Sequence, residues 1–199
     1  MSEFRNLLLK RVQGKYEISL EEAARMDAHF ELLQRWNRRL NLSRIETVEE
    51  AIERHYCESI ALARALPSGA LRIVDAGSGA GFPGIPMAIV RPECLLYLVE
   101  SDSRKAVFLR EATLGLSNCE VVRERLERVE LSVSWVVGRA VRWQEILAVA
   151  SRLSAKVGLM VTADQSVPVR REATAFRWDD PVPFPWDNSR VLLFGALVA

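Results

Sequence analysis

The sequence predicts a doubly wound α/β fold of the Rossmann-like type, preceded by a helical extension. Two observations lead to this prediction. From about residue 68 onward, short apolar segments typical of buried strands alternate with helical segments, which is the pattern of a mostly parallel sheet covered by helices. Before that point, the clear periodicities are helical. We therefore expect a helical extension over residues 1–67 and an α/β domain over residues 68–199, packed together as one compact unit.

The extension contains signals for two helices. Ser19-Leu-Glu-Glu22 is a capping box, in which a hydroxyl and a carboxylate satisfy free amides at a helix start, and this helix is expected to run to about Leu40. Thr47, with a glutamate three residues later, opens a second helix that runs to about Ala65. Pro67-Ser-Gly69 then ends the helical pattern.

The α/β domain is expected to place its strands and helices in alternation. The expected strands cover residues 71–75, 94–99, 119–122, 133–137, 157–161, 174–178 and 190–197, and the expected helices cover 85–90, 102–115, 143–153 and 165–172. The last two strands flank a proline-rich loop at 181–185. We expect these two to pair as an antiparallel hairpin at one edge of the sheet.

Composition and cysteine use favour a cytoplasmic protein. Hydrophobic residues make up 49% of the 199 positions and charged residues 27%, which is ordinary for a globular domain. No apolar run reaches the roughly 18 residues of a membrane span, and residues 1–10 lack the features of a secretory signal. Cys57, Cys94 and Cys119 are far apart, which argues against a zinc site or a disulfide framework. We expect a monomer without a metal ion or a membrane partner.

The strongest chemical signal is the glycine-rich segment Asp75-Ala-Gly-Ser-Gly-Ala-Gly-Phe-Pro-Gly84, which follows the first expected strand. Glycine allows the backbone to turn with positive φ and to approach a ligand closely. Ligands of such folds bind at the carboxyl ends of the parallel strands. The glycine spacing alone is ambiguous, because dinucleotide-binding folds use similar glycines.

Glu100 makes the expected ligand more specific. It ends the second expected strand, where its two carboxylate oxygens could accept from both hydroxyls of a ribose. Asp75, at the end of the first strand, suits a loop that bounds an amino-acid ligand. Together these residues predict S-adenosyl-L-methionine as the cofactor. In the alternative interpretation, Glu100 is a solvated strand terminus and the glycines simply end a strand.

Several further blocks make the chain resemble a known family. Over roughly residues 30–142 it is similar to the RsmG family, also called glucose-inhibited division protein B (GidB). The blocks that carry the resemblance are Asn41-Leu-Ser-Arg-Ile45, Arg54-His-Tyr-Cys-Glu-Ser59, the segment from Asp75 to Pro86, Glu100-Ser-Asp-Ser-Arg-Lys105 with Phe108-Leu109, and Arg139-Ala-Val141. Within the segment from Asp75 to Pro86, Phe82-Pro-Gly-Ile-Pro86 is especially distinctive. The resemblance implies a class I methyltransferase fold and methylation of guanine N7 in 16S ribosomal RNA, with the RNA or the small ribosomal subunit as partner.

The resemblance also implies roles for single residues. The cofactor site would be formed by Gly77, Gly79, Phe82, Glu100, Ser101, Asp102, Leu126, Glu127 and Arg139. Asn41, His55 and Arg139 would face the substrate. Guanine N7 already carries an in-plane lone pair, so the transfer needs alignment more than a general base, and no catalytic residue is assigned.

Each assignment has a structural alternative. Leu126 could belong to the core, His55 could orient a loop by hydrogen bonding, and Arg139 could form a structural ion pair. Asn41 could instead clamp a turn.

The chain also departs from the family pattern. The family's Leu-Lys-Gly after the fifth strand appears here as Thr162-Ala163-Asp164, so a lysine expected to meet RNA phosphate is missing. Smaller departures lie at Ser134-Trp135, Gly138 and Glu58. Two alternatives to RNA methylation therefore stay open: a cofactor-binding paralogue with lost or altered activity, and a small-molecule methyltransferase. A nicotinamide-dependent oxidoreductase is less favoured, because the chain lacks the length for a substrate domain.

Overall fold

The computed structural model describes residues 1–40, 42, 47–153 and 155–198, without the side chains of residues 39 and 40. The helices are α1 (Glu3–Val12), α2 (Leu20–Leu40), α3 (Val48–Ala51), α4 (Glu58–Ala65), α5 (Gly84–Val90), α6 (Ser103–Ala112), α7 (Trp143–Arg152) and α8 (Ala163–Glu172). The strands are β1 (Arg72–Ala76), β2 (Leu95–Val99), β3 (Cys119–Val122), β4 (Trp135–Arg139), β5 (Lys156–Thr162), β6 (Phe176–Trp178), β7 (Val182–Phe184) and β8 (Asp187–Leu197).

Both capping signals in the extension are confirmed. The amide of Glu22 donates to Ser19 Oγ at 3.1 Å where α2 begins, and the amide of Glu50 donates to Thr47 Oγ1 at 3.1 Å where α3 begins. Two features were not predicted. Helix α1 precedes the capping box, and a π-helical segment over Ile52–Cys57, which we call the π segment, joins α3 to α4. Such segments occur often at functional sites.

The predicted sheet is confirmed in type and in most of its bounds. Its strand order is β3-β2-β1-β4-β5-β8-β6, with β7 paired to β8. Strands β1 to β5 run parallel, whereas β8 runs antiparallel to β5, β6 and β7. The predicted antiparallel hairpin is therefore only partly correct. Strand β8 does pair with β6, but it lies inside the sheet against β5, and β7 forms within the proline-rich loop.

The sheet separates two hydrophobic cores. Neighbouring residues of β1 alternate between them: Ile73 packs in the first core and Val74 in the second, as the pleat of a strand requires. The second core is closed by α7 and α8. The first contains α5, α6 and the buried side chains of the extension, among them Met26 and Tyr56. The extension therefore shares a core with the sheet. In the described part of the chain, no helix is long and apolar enough to span a membrane.

Candidate active site

The glycine-rich segment forms a loop at the carboxyl ends of β1 and β2. Gly77, Gly79 and Gly81 all have positive φ values, of 68°, 55° and 86°, which explains why glycine occupies these positions. The amide of Ser78 donates to the carbonyl of Val99 at 3.0 Å. This bond fixes the loop to the end of the neighbouring strand.

The first two glycines of the loop have different surroundings. A Cβ atom on Gly77 would lie 2.6 Å from Val141 Cγ2, so the backbone there needs a residue without a side chain. Val141 is brought close by a sharp turn after β4, where Ala140 has a φ of 57°, an unusual value for a residue other than glycine. At Gly79, by contrast, a Cβ atom would have Gly77 O as its nearest neighbour, at 3.7 Å. Gly79 therefore borders space in which a ligand could lie.

Glu100 closes this loop from the end of β2. Its Oε2 accepts from the amide of Gly79 at 3.0 Å, and its Oε1 accepts from the amide of Asp102 at 2.8 Å. The residue is only 8% exposed, which argues against a solvated strand terminus. Each carboxylate oxygen can accept a second hydrogen bond. The carboxylate thus keeps acceptor capacity toward the space beside Gly79.

Asp75 is a second buried carboxylate below the loop. Its Oδ2 accepts from the amide of Gly84 at 2.9 Å, where α5 begins. Its Oδ1 is buried and has no hydrogen-bond partner among the described residues. Burial raises the pKa of Asp75 to about 7, while the Ser78 side chain and the Gly84 amide lower it and the negative charge of Glu100 raises it further. An unsatisfied buried acceptor is costly unless a ligand or a proton satisfies it.

Part of the expected cofactor site lies along an open cleft of about 1140 Å³. Ser101, Asp102, Leu126 and Glu127 all line it. Asp102 also has a structural duty, since its Oδ1 accepts from the amides of two residues in the first turn of α6, which lowers its pKa. Leu126 is half-buried against the second core, so its side chain both packs and borders the cleft.

A cluster of charged side chains lies on the other side of the site. Arg139, at the end of β4, donates from Nη1 to His55 Nδ1 at 2.7 Å. Glu58 is 1% exposed and lies between two arginines. Its Oε1 accepts from Arg190 Nε at 2.8 Å, and its Oε2 is 3.8 Å from Arg139 Nη2. We call these four residues the arginine cluster.

Burial opposes the charged forms of His55, Glu58 and Arg139. It lowers the pKa of His55 to about 3, with Arg139 as the next cause, and it lowers the pKa of Arg139 to about 10. It also raises the pKa of Glu58, although both neighbouring arginines act in the other direction. His55 is therefore neutral near pH 7, and a group with so low a pKa is a poor general base. The ion pair expected as an alternative for Arg139 is present.

Phe82 and a histidine that sequence analysis missed complete the site. Phe82 packs against the rings of His55 and Tyr56, at centroid distances of 4.7 and 5.0 Å. His29, from α2, lies 5.2 Å from Phe82 and is hydrogen bonded to the glycine loop. The sequence holds just two histidines, and this rarity was the one available signal for His29.

Two further sequence predictions concern Asn41 and the segment that follows β5. Asn41 lies outside the described residues. The altered segment at Thr162-Ala163-Asp164 starts α8, where Thr162 and Gln165 form a reciprocal capping box. Among the described residues, no group of three or more histidine, cysteine, aspartate or glutamate side chains is placed to hold a metal ion.

The strand order, the glycine loop after β1 and the acidic residue that ends β2 together define the class I methyltransferase fold. A solved structure of an S-adenosylmethionine-dependent methyltransferase from Aquifex aeolicus has this fold, with a TM-score of 0.59 at 17% identity, covering 75% of this chain and 93% of that one.

The family follows from the sequence comparisons. The chain belongs to the GidB family, described as rRNA small subunit methyltransferase G, whose model matches residues 22–166. A ribosomal RNA small subunit methyltransferase G from Nitrosospira multiformis is 43% identical over 62% of this chain, and the match spans 58% of that relative's length. The protein of the same name from Solibacter usitatus is 38% identical, with 73% of each chain covered.

Proposed function

We propose that the protein is an S-adenosyl-L-methionine-dependent methyltransferase that modifies guanine N7 in 16S ribosomal RNA. The observation that carries the proposal is the position of Glu100. Its carboxylate is buried at the end of β2, bonded to the loop amide of Gly79, and retains acceptor capacity toward open space. A ribose diol is the ligand group that two such oxygens suit.

The residues beside the glycine loop fit this cofactor. Glu100 would bind the ribose hydroxyls, with Ser101 and Asp102 next to it, and Leu126 and Glu127 would border the adenine. Gly77, Gly79 and Phe82 would line the methionine part, near the unpartnered Oδ1 of Asp75. When bound, the cofactor supplies a methyl group on a positively charged sulfur.

The arginine cluster is suited to the substrate side. Arg139 and Arg190 enclose one buried carboxylate, and the positive charge of Arg54 also acts on both His55 and Glu58. The negative charges of Glu50 and Asp187 also act on these arginines. Guanidinium groups in such a cluster would bind an anionic partner such as RNA phosphate by charge-assisted hydrogen bonds. His55 would position Arg139 and the base rather than take a proton, since guanine N7 has none to lose.

The reaction would depend on alignment. Holding N7 in line with the methyl carbon and the sulfur, at roughly 3 to 3.5 Å, supplies much of the rate enhancement available to such a transfer. Phe82, packed between His55 and Tyr56, is placed to give the site a rigid apolar wall. A cytoplasmic location follows from a ribosomal substrate.

One observation favours a second candidate, a cofactor-binding paralogue with lost or altered activity. The lysine expected after β5 is absent, and Thr162 instead caps α8. Arg170 and Arg171, the nearest replacement charges in sequence, pair with Asp180 and Glu172. In α8, both replacement arginines are therefore already engaged in ion pairs.

A methylation assay separates the two candidates. Small ribosomal subunits that lack the modification are incubated with purified protein and cofactor labelled in the methyl group. The proposal expects one labelled guanine in 16S RNA, at which reduction and aniline treatment cleave the strand, as they do at 7-methylguanine. Subunits that already carry the mark serve as the control. Tight cofactor binding without incorporation would contradict the proposal and support the paralogue.

A further inference from the structure

The tip of the glycine loop is held by side chains of the helical extension. His29, in α2, lies with Nε2 at 3.1 Å from the carbonyl oxygen of Ala80. Tyr56, in the π segment, places its hydroxyl 2.8 Å from His29 Nδ1. Both side chains are buried. A continuous hydrogen-bonded path thus joins two segments of the extension to the loop.

The chemistry of these groups fixes the state of the His29 ring. A carbonyl oxygen can only accept, so Nε2 must carry the proton that it donates to Ala80. In the neutral ring, Nδ1 then accepts from the hydroxyl of Tyr56. Burial lowers the pKa of His29 to about 4, so this neutral form prevails near pH 7. Both ring nitrogens are therefore satisfied, and the ring has one orientation.

The same ring also limits where the loop can move. A Cβ atom on Gly81 would meet the Ile85 side chain first and would lie 3.3 Å from His29 Nε2, so the backbone here packs closely against both side chains. Phe82 packs edge-on against both His29 and Tyr56. The loop's other anchors lie on either side of this contact, at Ser78 against β2 and at Gly84 against Asp75. His29 thus holds the segment between them.

We propose that His29 is a positioning residue for cofactor binding, because its bond to Ala80 holds the loop in the shape that places Gly79 and Phe82. It does not touch the cofactor in this proposal. The inference rests on the proposed function in one respect, namely that the loop binds S-adenosyl-L-methionine. It goes further in assigning part of the cofactor affinity to the extension.

Two substitutions at one position test the hydrogen bond. His29→Leu removes the donor but keeps an apolar side chain, whereas His29→Gln places an amide N–H near the position of Nε2. We expect calorimetry to show that His29→Leu weakens binding of S-adenosyl-L-methionine tenfold or more, which is equivalent to about 1.4 kcal/mol. The affinity of His29→Gln should stay within about threefold of the wild type.

The same helix offers a matched control. Trp36 donates from Nε1 to Glu111 at 3.0 Å and so links α2 to α6 without contacting the glycine loop. Trp36→Phe should leave cofactor affinity unchanged. A second measurement needs no cofactor: hydrogen exchange at the amides of residues 79–82 should accelerate in His29→Leu and not in Trp36→Phe. Thermal unfolding establishes that each variant is folded at the assay temperature.

Each result has one meaning. If the wild type fails to bind the cofactor, the proposed function is wrong, whereas the exchange experiment still tests the anchor. If the wild type binds and His29→Leu binds equally well, the positioning role is refuted. Equal losses in His29→Leu and His29→Gln, or an equal loss in Trp36→Phe, would mean that helix docking rather than this bond matters. Should His29→Leu not fold, Tyr56→Phe, which frees Nδ1 but keeps the ring against Phe82, is expected to show a smaller loss in the same direction.

Discussion

The two sides of the candidate site are held together by different forces. On the loop side, carboxylates at the ends of adjacent strands accept from main-chain amides, and the residues involved lie close in sequence, between Asp75 and Asp102. On the other side, the arginine cluster joins charged side chains from the extension, from β4 and from β8.

The two sides therefore differ in how much free energy the burial of their charged groups costs. On the loop side, both oxygens of Glu100 and one oxygen of Asp75 accept from main-chain amides, and Asp75 Oδ1 is left without a partner among the described residues. On the arginine side, charged groups lose their hydration when they are buried. Their attraction to one another compensates for this loss only in part. The pKa of Glu58 is raised and that of Arg139 is lowered, so burial outweighs attraction for both partners. Under the proposed function, this cost would serve substrate binding rather than stability.

The largest expected effect is a loss of folding stability when the arginine cluster loses its carboxylate. Glu58→Ala would leave two largely buried guanidinium groups without their carboxylate and should lower the free energy of unfolding by about 3 to 5 kcal/mol, as is usual when one partner of a buried pair is removed. Urea denaturation measures this change. Glu53→Ala, in the π segment, removes the half-exposed partner of Arg11 and should cost no more than about 1 kcal/mol. Equal losses of stability in the two variants would contradict the larger cost expected for the buried cluster.

The next largest effect is a loss of cofactor affinity when the Glu100 carboxylate on the loop side is removed. Glu100→Ala removes acceptors from the amides of Gly79 and Asp102 as well as from the ribose. We expect the affinity for S-adenosyl-L-methionine to fall by roughly 2 to 3 kcal/mol, the scale of charge-assisted hydrogen bonds. Calorimetry should show no change for Glu120→Ala, an exposed glutamate on β3. Unchanged affinity in Glu100→Ala would refute the ribose assignment.

The third effect is a pH dependence of stability that arises from Asp75, and it is the smallest of the three when counted per pH unit. Its pKa is about 7 in the folded protein and roughly 3.9 in an unfolded chain. The folded state therefore binds the extra proton between these values, and stability falls as pH rises through that window, by at most about 1.4 kcal/mol per pH unit. Relative to Asp75→Asn, the wild type should lose stability from pH 4 to pH 7 and no further above pH 8. Parallel stability curves would show that the carboxyl ionises normally.

The sequence predicted the loop side better than the arginine side, for a physical reason. Strand ends, glycines with positive φ and capping boxes are set by local chemistry, so Gly77, Gly79 and Glu100 could be assigned from nearby residues. The contact of Glu58 with Arg190 joins residues 132 positions apart, and no local pattern signals it. His29 was missed for the same reason, because its partner Ala80 is 51 positions away.

Local patterns also failed where the backbone departs from regular structure. The π segment was expected to be ordinary helix, because it lies within the single helix predicted from Thr47 to about Ala65. Strand β7 was expected to be loop, because the prolines at 181, 183 and 185 discourage a strand. It forms through its pairing with β8. The division into residues 1–67 and 68–199 stays a prediction, although the two parts share the first core.

The place of Arg190 on β8 has a consequence for how the protein is made. A ribosome delivers the chain from its N-terminus, so Asp75, Glu100 and the loop between them emerge well before Arg190. The loop side has all its partners at that stage, whereas Glu58 and Arg139 must wait, hydrated, for a strand that inserts between β5 and β6. A nascent chain would therefore complete the loop side of the candidate site first and the arginine cluster last.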